Sequence, residues 1–302
     1  MKMTQNKLQD IKAGDSNHIT RKYFDSLLIE MRHIDAVTPS TEIELYGETF
    51  STPIMTAALS HLDNCRADGA VEMAKGALTA NAFMWTGMGE DEELEKITAA
   101  GAKTVKIIKP HADNSIIFKK IEHAEKCGVT ALGMDIDHAF NSKGQYDNVL
   151  GLPMTPKTFD EIKSFIEATK LPFIIKGVLS VQDAVKCVEA GARGIVVSHH
   201  HGIMDYAVPP LMILPDIVKA VDHSIPVFVD CGIASGYDAF KALALGASAV
   251  CVGRVLMGPL SDDGAEGVCR KITELTQELS GVMARTCTVD VHHIDPSLIR
   301  RI

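Results

Sequence analysis

Lys109, Asp135, Asp137, Lys176 and His200 each stand at the end of a short apolar run in this 302-residue chain. A buried segment that finishes in an ammonium, a carboxylate or an imidazole is what proton transfer and charge stabilisation require. Lysine supplies a fixed positive charge, histidine exchanges a proton near neutral pH, and aspartate orients either of them. Other apolar runs finish in His61, Thr86, His111, His138, Ser198, His199, His201, Asp230 and Arg254. Segment ends that meet solvent also collect polar residues. Five complementary charges directly behind apolar runs nevertheless point to one reactive mouth.

A second chemistry is written in two glycine turns. Asp230-Cys231-Gly232-Ile233-Ala234-Ser235-Gly236 opens the helical stretch YDAFKALALGA, and Gly253-Arg254 closes the following apolar run. Such turns expose backbone N–H groups at a helix N-terminus, which favours a phosphate dianion, and Arg254 adds a charge-assisted hydrogen bond.

The elements that must position these residues follow from periodicity. Short, continuous apolar runs begin at Pro53, Asn81, Thr104, Ala131, Phe173, Gly194, Pro226 and Ala249. They read as parallel strands covered on both faces. Amphipathic segments such as DEELEKITAAGA, NSIIFKKIEHAEKCG and VQDAVKCVEAGA lie between them and stop at glycine. Even alternation without linker or low-complexity tract predicts an α/β fold, a single-domain (β/α)8 TIM barrel, with an open doubly wound sheet as the rival. Residues 53–287 form the barrel in this reading. Residues 1–52 are an N-terminal extension with a hairpin around Glu44–Phe50, and residues 288–302 are a tail continuing as a surface helix. The polar stretch His138–Thr158 follows the fourth strand and is placed to act as a lid. In a barrel the reactive residues collect at the C-terminal strand ends, and phosphate sits after strands seven and eight.

Composition limits the partners. A net charge of −9 argues against nucleic acid or an anionic membrane, and no apolar stretch approaches a membrane span. MKMTQNKLQDIKAG has no apolar centre and reads as no secretory signal. Seven scattered cysteines, with no CxxC pair, suit reduced thiols in a cytoplasm.

IIKGV, IVVSHHHG, FVDCGIASGYDAFKALALGA and VGR resemble the FMN-dependent α-hydroxy-acid oxidase/dehydrogenase family, which includes glycolate and lactate oxidases. The likeness is clearest from Phe173 to Cys287 and thinner from Thr41 to Asp137. It implies an FMN cofactor, a small-molecule substrate and a homo-oligomer, tetramer or octamer. Ala57 and Ala58 would then lie against the flavin ring, with Thr86, Lys109 and Asp135 around it. Lys176 would stabilise the negative charge of reduced flavin, Ser198 would bond the cofactor, and Asp230 would hold its ribityl chain. Gly232, Ser235, Gly236, Gly253 and Arg254 would hold the phosphate. His200 falls on the family's base, which takes the substrate hydroxyl proton as hydride leaves for the flavin, with Asp135 or Asp137 orienting it or contacting the flavin. Catalysis would rest on His200, Lys176, Asp137 and Lys109, with no metal.

The departures are as definite. The family's carboxylate-clamping arginine is Ile203 here, and a phosphate-contacting arginine is Ala234. Asp135 stands where better-known members carry threonine, and Ile108 or Lys109 replaces an aromatic residue. Lys109 is the simplest substitute for the lost cation. Other readings stay open at this point: a flavin-dependent isomerase of the type 2 isopentenyl diphosphate isomerase kind, a barrel hydrolase ligating a metal through the mouth histidines, or a non-catalytic flavin or phosphate binder.

Overall fold

A computed structural model of the chain describes residues 12–302. Residues 1–11, which hold most of the segment read above as lacking a signal, lie outside the described residues. The eight apolar runs form eight strands: β1 (Ile54–Thr56), β2 (Met84–Thr86), β3 (Thr104–Ile108), β4 (Ala131–Asp135), β5 (Phe173–Val178), β6 (Gly194–Val197), β7 (Val227–Val229) and β8 (Ala249–Val252). All pair in parallel, in the order β1-β8-β7-β6-β5-β4-β3-β2. The helices are α1 (Ser16–Asp25), α2 (Gly69–Thr79), α3 (Asp91–Ala99), α4 (Asn114–Lys126), α5 (Phe159–Glu167), α6 (Val181–Glu189), α7 (Pro210–Val221), α8 (Gly236–Ala244) and α9 (Arg254–Ala284). This is the (β/α)8 barrel that the alternation predicts.

The seam between β1 and β2 is closed by two backbone bonds, the Thr56 N–H to the Phe83 carbonyl at 3.2 Å and the Gly87 N–H to the Leu59 carbonyl at 2.9 Å, together with one side chain. The Thr56 hydroxyl accepts from the Trp85 N–H at 2.7 Å and donates to the Trp85 carbonyl at 3.2 Å. A single parallel bridge, Leu59 to Thr86, lies beyond it. Trp85 and Phe228 sit on strands that are not neighbours in the sheet, yet their rings meet edge to face at 5.4 Å. They therefore fill the barrel interior, as aromatic side chains in a packed core do. Trp85 is a core residue and not part of the mouth. The expected hairpin forms as Ile43–Leu45 against Glu48–Phe50. Its Tyr46 ring reaches Phe83 and Phe228 from below.

The tail departs from the expected helix. Pro296–Leu298 makes one 3-10 turn, and Ile299–Arg301 pairs antiparallel with a short strand at Leu27–Ile29. Pro296 begins that turn at a position where a long helix could not run through it, and Leu298 is buried. The long terminal helix is instead α9, which bends at Gly264 (φ 59°, ψ −134°) and packs on α2 and α8. Among the described residues no helix is long and apolar enough to cross a membrane.

Candidate active site

At the C-terminal strand ends lies a cavity of about 820 Å³, within the range of ligand pockets. Lys109, Lys176, His200 and Asp230 line it, as do Ala57 and Ala58 after β1 and Gly232, Gly253 and Arg254 after β7 and β8. Thr86, Asp135, Asp137 and Ser198 stand behind that wall rather than in it.

The wall is held by an alternating chain of charges. Lys109 Nζ donates to Asp135 Oδ2 at 2.6 Å, and Lys176 Nζ lies 3.2 Å from Asp135 Oδ1 and 3.5 Å from Asp230 Oδ2. Burial opposes ionisation of Asp135, but Lys176 and Lys109 override it and hold the carboxyl well below the usual range. Burial likewise opposes charge on Lys176, yet Asp135 and Asp230 keep it an ammonium far into alkaline pH. Asp230 is held ionised against its burial by Lys176. Lys109 is thus engaged with a carboxylate and is not a spare cation.

His200 Nδ1 lies 2.9 Å from Asp137 Oδ1 and 3.4 Å from Lys176 Nζ. An ionised carboxylate only accepts, so we assign the proton of the neutral ring to Nδ1, which leaves Nε2 as a lone pair. Gly177 makes this arrangement possible. It has φ 93°, and a Cβ there would lie 2.6 Å from Asp137 Oδ2. Lys-Gly in IIKGV thus lets the β4 carboxylate stand beside the β5 ammonium. Beyond β6 the chain enters the left-handed region at His200 (φ 47°) and His201 (φ 59°), where non-glycine residues are uncommon and cluster at functional sites. Ser198 supports the bend, since its Oγ accepts from the His200 N–H at 3.0 Å.

The strand has ended before the three histidines, so simple alternation does not apply. His200 and His201 line the cavity, whereas His199 turns away and bonds Thr20 Oγ1 at 2.8 Å. His201 bonds Asn17, and His111 is buried with its Nδ1 unpartnered. His61 and His138 line the cavity too, yet among the described residues no three histidines bring their ring nitrogens together. Among the described residues the close trio of metal-capable donors is Asp135, Asp137 and His200, and its central carboxylate already faces two ammonium groups.

Of the two expected phosphate turns, one is closed at its helix end, although Gly232, Ile233 and Ala234 still line the cavity. Ser235 and Gly236 do not line the cavity. Ser235 Oγ caps α8 by accepting from the Asp238 N–H at 3.1 Å, and the Gly236 N–H donates to Glu278 Oε2 at 2.7 Å. Even the Ala234 N–H is taken, by Asp238 Oδ2 at 3.1 Å. The N-terminus of α9 is different. Its N-cap is Gly253, no side chain caps it, and Gly253, Arg254 and Val255 all face the cavity. Orphan N–H groups at an uncapped helix start suit a phosphate, so the residues fit the phosphate end of FMN.

Sequence reasoning did not single out Arg21, which reaches this region from α1. Its guanidinium grips Asp238 through two nitrogens at 3.1 and 3.0 Å, touches the Gly232 carbonyl at 3.4 Å and lines the cavity beside Ala234. It stands by the turn where the resemblance expects an arginine. The other omission is Asp147, in the segment after β4, whose Oδ2 lies 2.9 Å from Nδ1 of the expected His138. Cys231 also faces the cavity, but burial pushes its thiol up to about 12, so it stays protonated.

The family described as "FMN-dependent dehydrogenase" matches residues 9–158 and 154–301. Glycolate oxidase 3 of Arabidopsis thaliana is 30% identical, over 85% of this chain and 78% of that protein. 4-Hydroxymandelate oxidase of Amycolatopsis orientalis is also 30% identical, over 82% and 79%. The solved structure of a mandelate oxidase mutant with the monooxide FMN adduct superposes with a TM-score of 0.87 at 28% identity, covering 96% of this chain and 92% of that one.

Proposed function

The chain belongs to the FMN-dependent dehydrogenase family, and on that premise we propose that it oxidises a 2-hydroxy acid with His200 as the base and Lys176 as the fixed cation of the site. It is an FMN-dependent oxidoreductase, and the relatives named above are oxidases, which favours oxidation over the isomerase, hydrolase and non-catalytic readings. The single observation that carries the assignment of roles is the His200–Asp137 pair beside Lys176 at the wall of the cavity.

FMN, when bound, supplies the acceptor for the electron pair. The chain supplies the rest. His200 Nε2 takes the substrate hydroxyl proton, and Asp137, on the far side of the ring, stabilises the imidazolium that results. Lys176 keeps a positive charge at the wall far into alkaline pH, because Asp135 and Asp230 hold it there. Ala57 and Ala58 offer a flat, side-chain-poor surface for the ring. Gly232 and the start of α9, with Arg254, hold the phosphate end. Thr86, Asp135 and Ser198 serve as supports behind that surface, and Lys109 fixes Asp135.

We also propose that residues 53–287 work as one unit with the extension and the tail, that the protein acts in the cytoplasm with reduced thiols, and that it assembles as a tetramer or octamer. Light scattering on the pure protein tests the last point. The functional test is anaerobic mixing of FMN-loaded protein with glycolate, lactate and mandelate. Bleaching of the flavin band by at least one acid, lost in His200→Ala, is the expected result. Failure of every 2-hydroxy acid to bleach a fully loaded enzyme removes the reading.

A further inference from the structure

The site as built has a charge problem. Two ammonium groups, Lys109 and Lys176, face three carboxylates, Asp135, Asp137 and Asp230, around His200. With His200 neutral this neighbourhood carries a net negative charge and repels a substrate carboxylate. The arginine that the resemblance expects three residues after the base is Ile203, which is apolar and 37% exposed. Arg21 is bound on two nitrogens by Asp238, and Arg254 stands at the phosphate end. A 2-hydroxy acid therefore needs a cation that the resting site does not display.

We propose that His138, backed by Asp147, acquires that charge by taking up a proton as the substrate carboxylate binds. This inference rests on the 2-hydroxy-acid reading above. His138 lines the same cavity as His200, and the two rings meet edge to face with centroids 4.5 Å apart. Its Nδ1 is paired with Asp147, so Nε2 is the free nitrogen, as it is in His200. Asp147 is not a loose partner: its N–H donates to the Ala139 carbonyl at 3.0 Å, and its carbonyl accepts from the Met154 N–H at 2.9 Å. The lid thus carries a second histidine–carboxylate pair aimed at the position the substrate must occupy.

The groups around His138 explain why it is neutral at rest. Burial disfavours its charge first, then Lys109 from β3 and, whenever it is protonated, His200 from beyond β6; Asp147 and Asp135 pull the other way, and Asp137 adjoins it in the chain. A carboxylate arriving at Nε2 reverses the balance, because the imidazolium would then lie between two anions. A neutral ligand brings no such charge and draws no proton. The device distinguishes acids from the corresponding amides or esters without a permanent clamp.

The test is calorimetric titration of the FMN-loaded protein with oxalate, a carboxylate with no C–H bond to oxidise, at pH 7.5 in two buffers of different ionisation enthalpy. Uptake of about one proton on binding is expected in the unmodified protein and none in His138→Gln or Asp147→Asn. Oxalate should also bind His138→Gln about ten- to a hundred-fold more weakly, the loss of a charged hydrogen bond. Flavin absorbance and thermal midpoints of both lid variants, unchanged from the parent, establish that the fold and cofactor are retained. Binding without proton uptake, or uptake that survives in His138→Gln, overturns the proposal. Anaerobic bleaching separates the two readings: bleaching by a 2-hydroxy acid without linked proton uptake sinks the clamp alone. No bleaching and no oxalate binding sink both.

Discussion

At the scale of single residues, Asp135 is the keystone of the site. It is 3% exposed and serves two lysines at once. Buried ion pairs add little net stability while intact, but removing one partner strands the other. Asp135→Asn is therefore expected to cost about 3–5 kcal/mol in urea unfolding. The double variant Lys109→Met/Asp135→Asn should recover part of that loss, since it removes one of the stranded charges, and the coupling in a double-mutant cycle with Lys109→Met should exceed about 1 kcal/mol. Additive effects would mean that Lys109 and Asp135 do not depend on each other. His200→Gln keeps the size of the side chain but not the base, so the bleaching rate should fall by about 10²–10⁴-fold with the flavin still bound.

At the scale of elements, the barrel depends on contacts that no single strand contains. The Thr56 hydroxyl bridges the β1–β2 seam beside its backbone bonds. Thr56→Val preserves shape and leaves the Trp85 N–H without its partner, an expected loss of about 1–3 kcal/mol by thermal or chemical melts. Gly76 lets α2 lie directly on α9, for a Cβ there would come within 2.6 Å of Val268 Cβ and 2.7 Å of the Ala265 carbonyl oxygen. The start of α9 makes the clearer functional case. Gly253→Asp would place a carboxylate at the helix N-cap, where it competes with a phosphate for the same N–H groups. FMN should bind roughly tenfold more weakly while far-ultraviolet circular dichroism stays unchanged. Undiminished affinity would show that the phosphate is gripped elsewhere.

At the scale of the whole molecule, acid stability is set by histidines whose charge the fold disfavours, of which His111 and His199 are buried. Burial, with Lys120, Lys157 and Lys109 adding to it, pushes His111 down to about 4. His138, His199 and His201 are lowered as well, each mainly by burial. An imidazole with a depressed folded pKa binds protons more readily when the chain is unfolded. The unfolded state therefore gains as pH falls from about 6.5, the free imidazole value, towards the folded one. The urea midpoint should drop steadily between about pH 6.5 and about pH 4, before the carboxylates at Asp135 and Asp230 begin to protonate. In His111→Gln the slope of that decline should be shallower. An unchanged slope would assign the acid sensitivity to the other histidines.

Local pattern alone determined the frame. Eight apolar runs became eight strands, since a short buried segment bounded by glycine or charge has few other ways to satisfy its backbone. Lys109, Lys176, His200 and Gly253 came to the cavity because a parallel barrel puts all its strand ends on one face. Tertiary structure decided what those residues meet. The α8 turn looks as open as the α9 turn in sequence, yet Glu278, 42 residues away, occupies it. Arg21 comes to the phosphate end across 217 residues to Asp238, and the tail pairs with the extension instead of forming a helix. Lys109 reads as a free cation until β3 and β4 lie side by side and deliver it to Asp135. Periodicity reports which face of an element is buried, because burial is decided residue by residue along a repeating backbone. A hydrogen-bond or ion-pair partner is chosen only when distant segments close on each other, and that choice leaves no period in the chain.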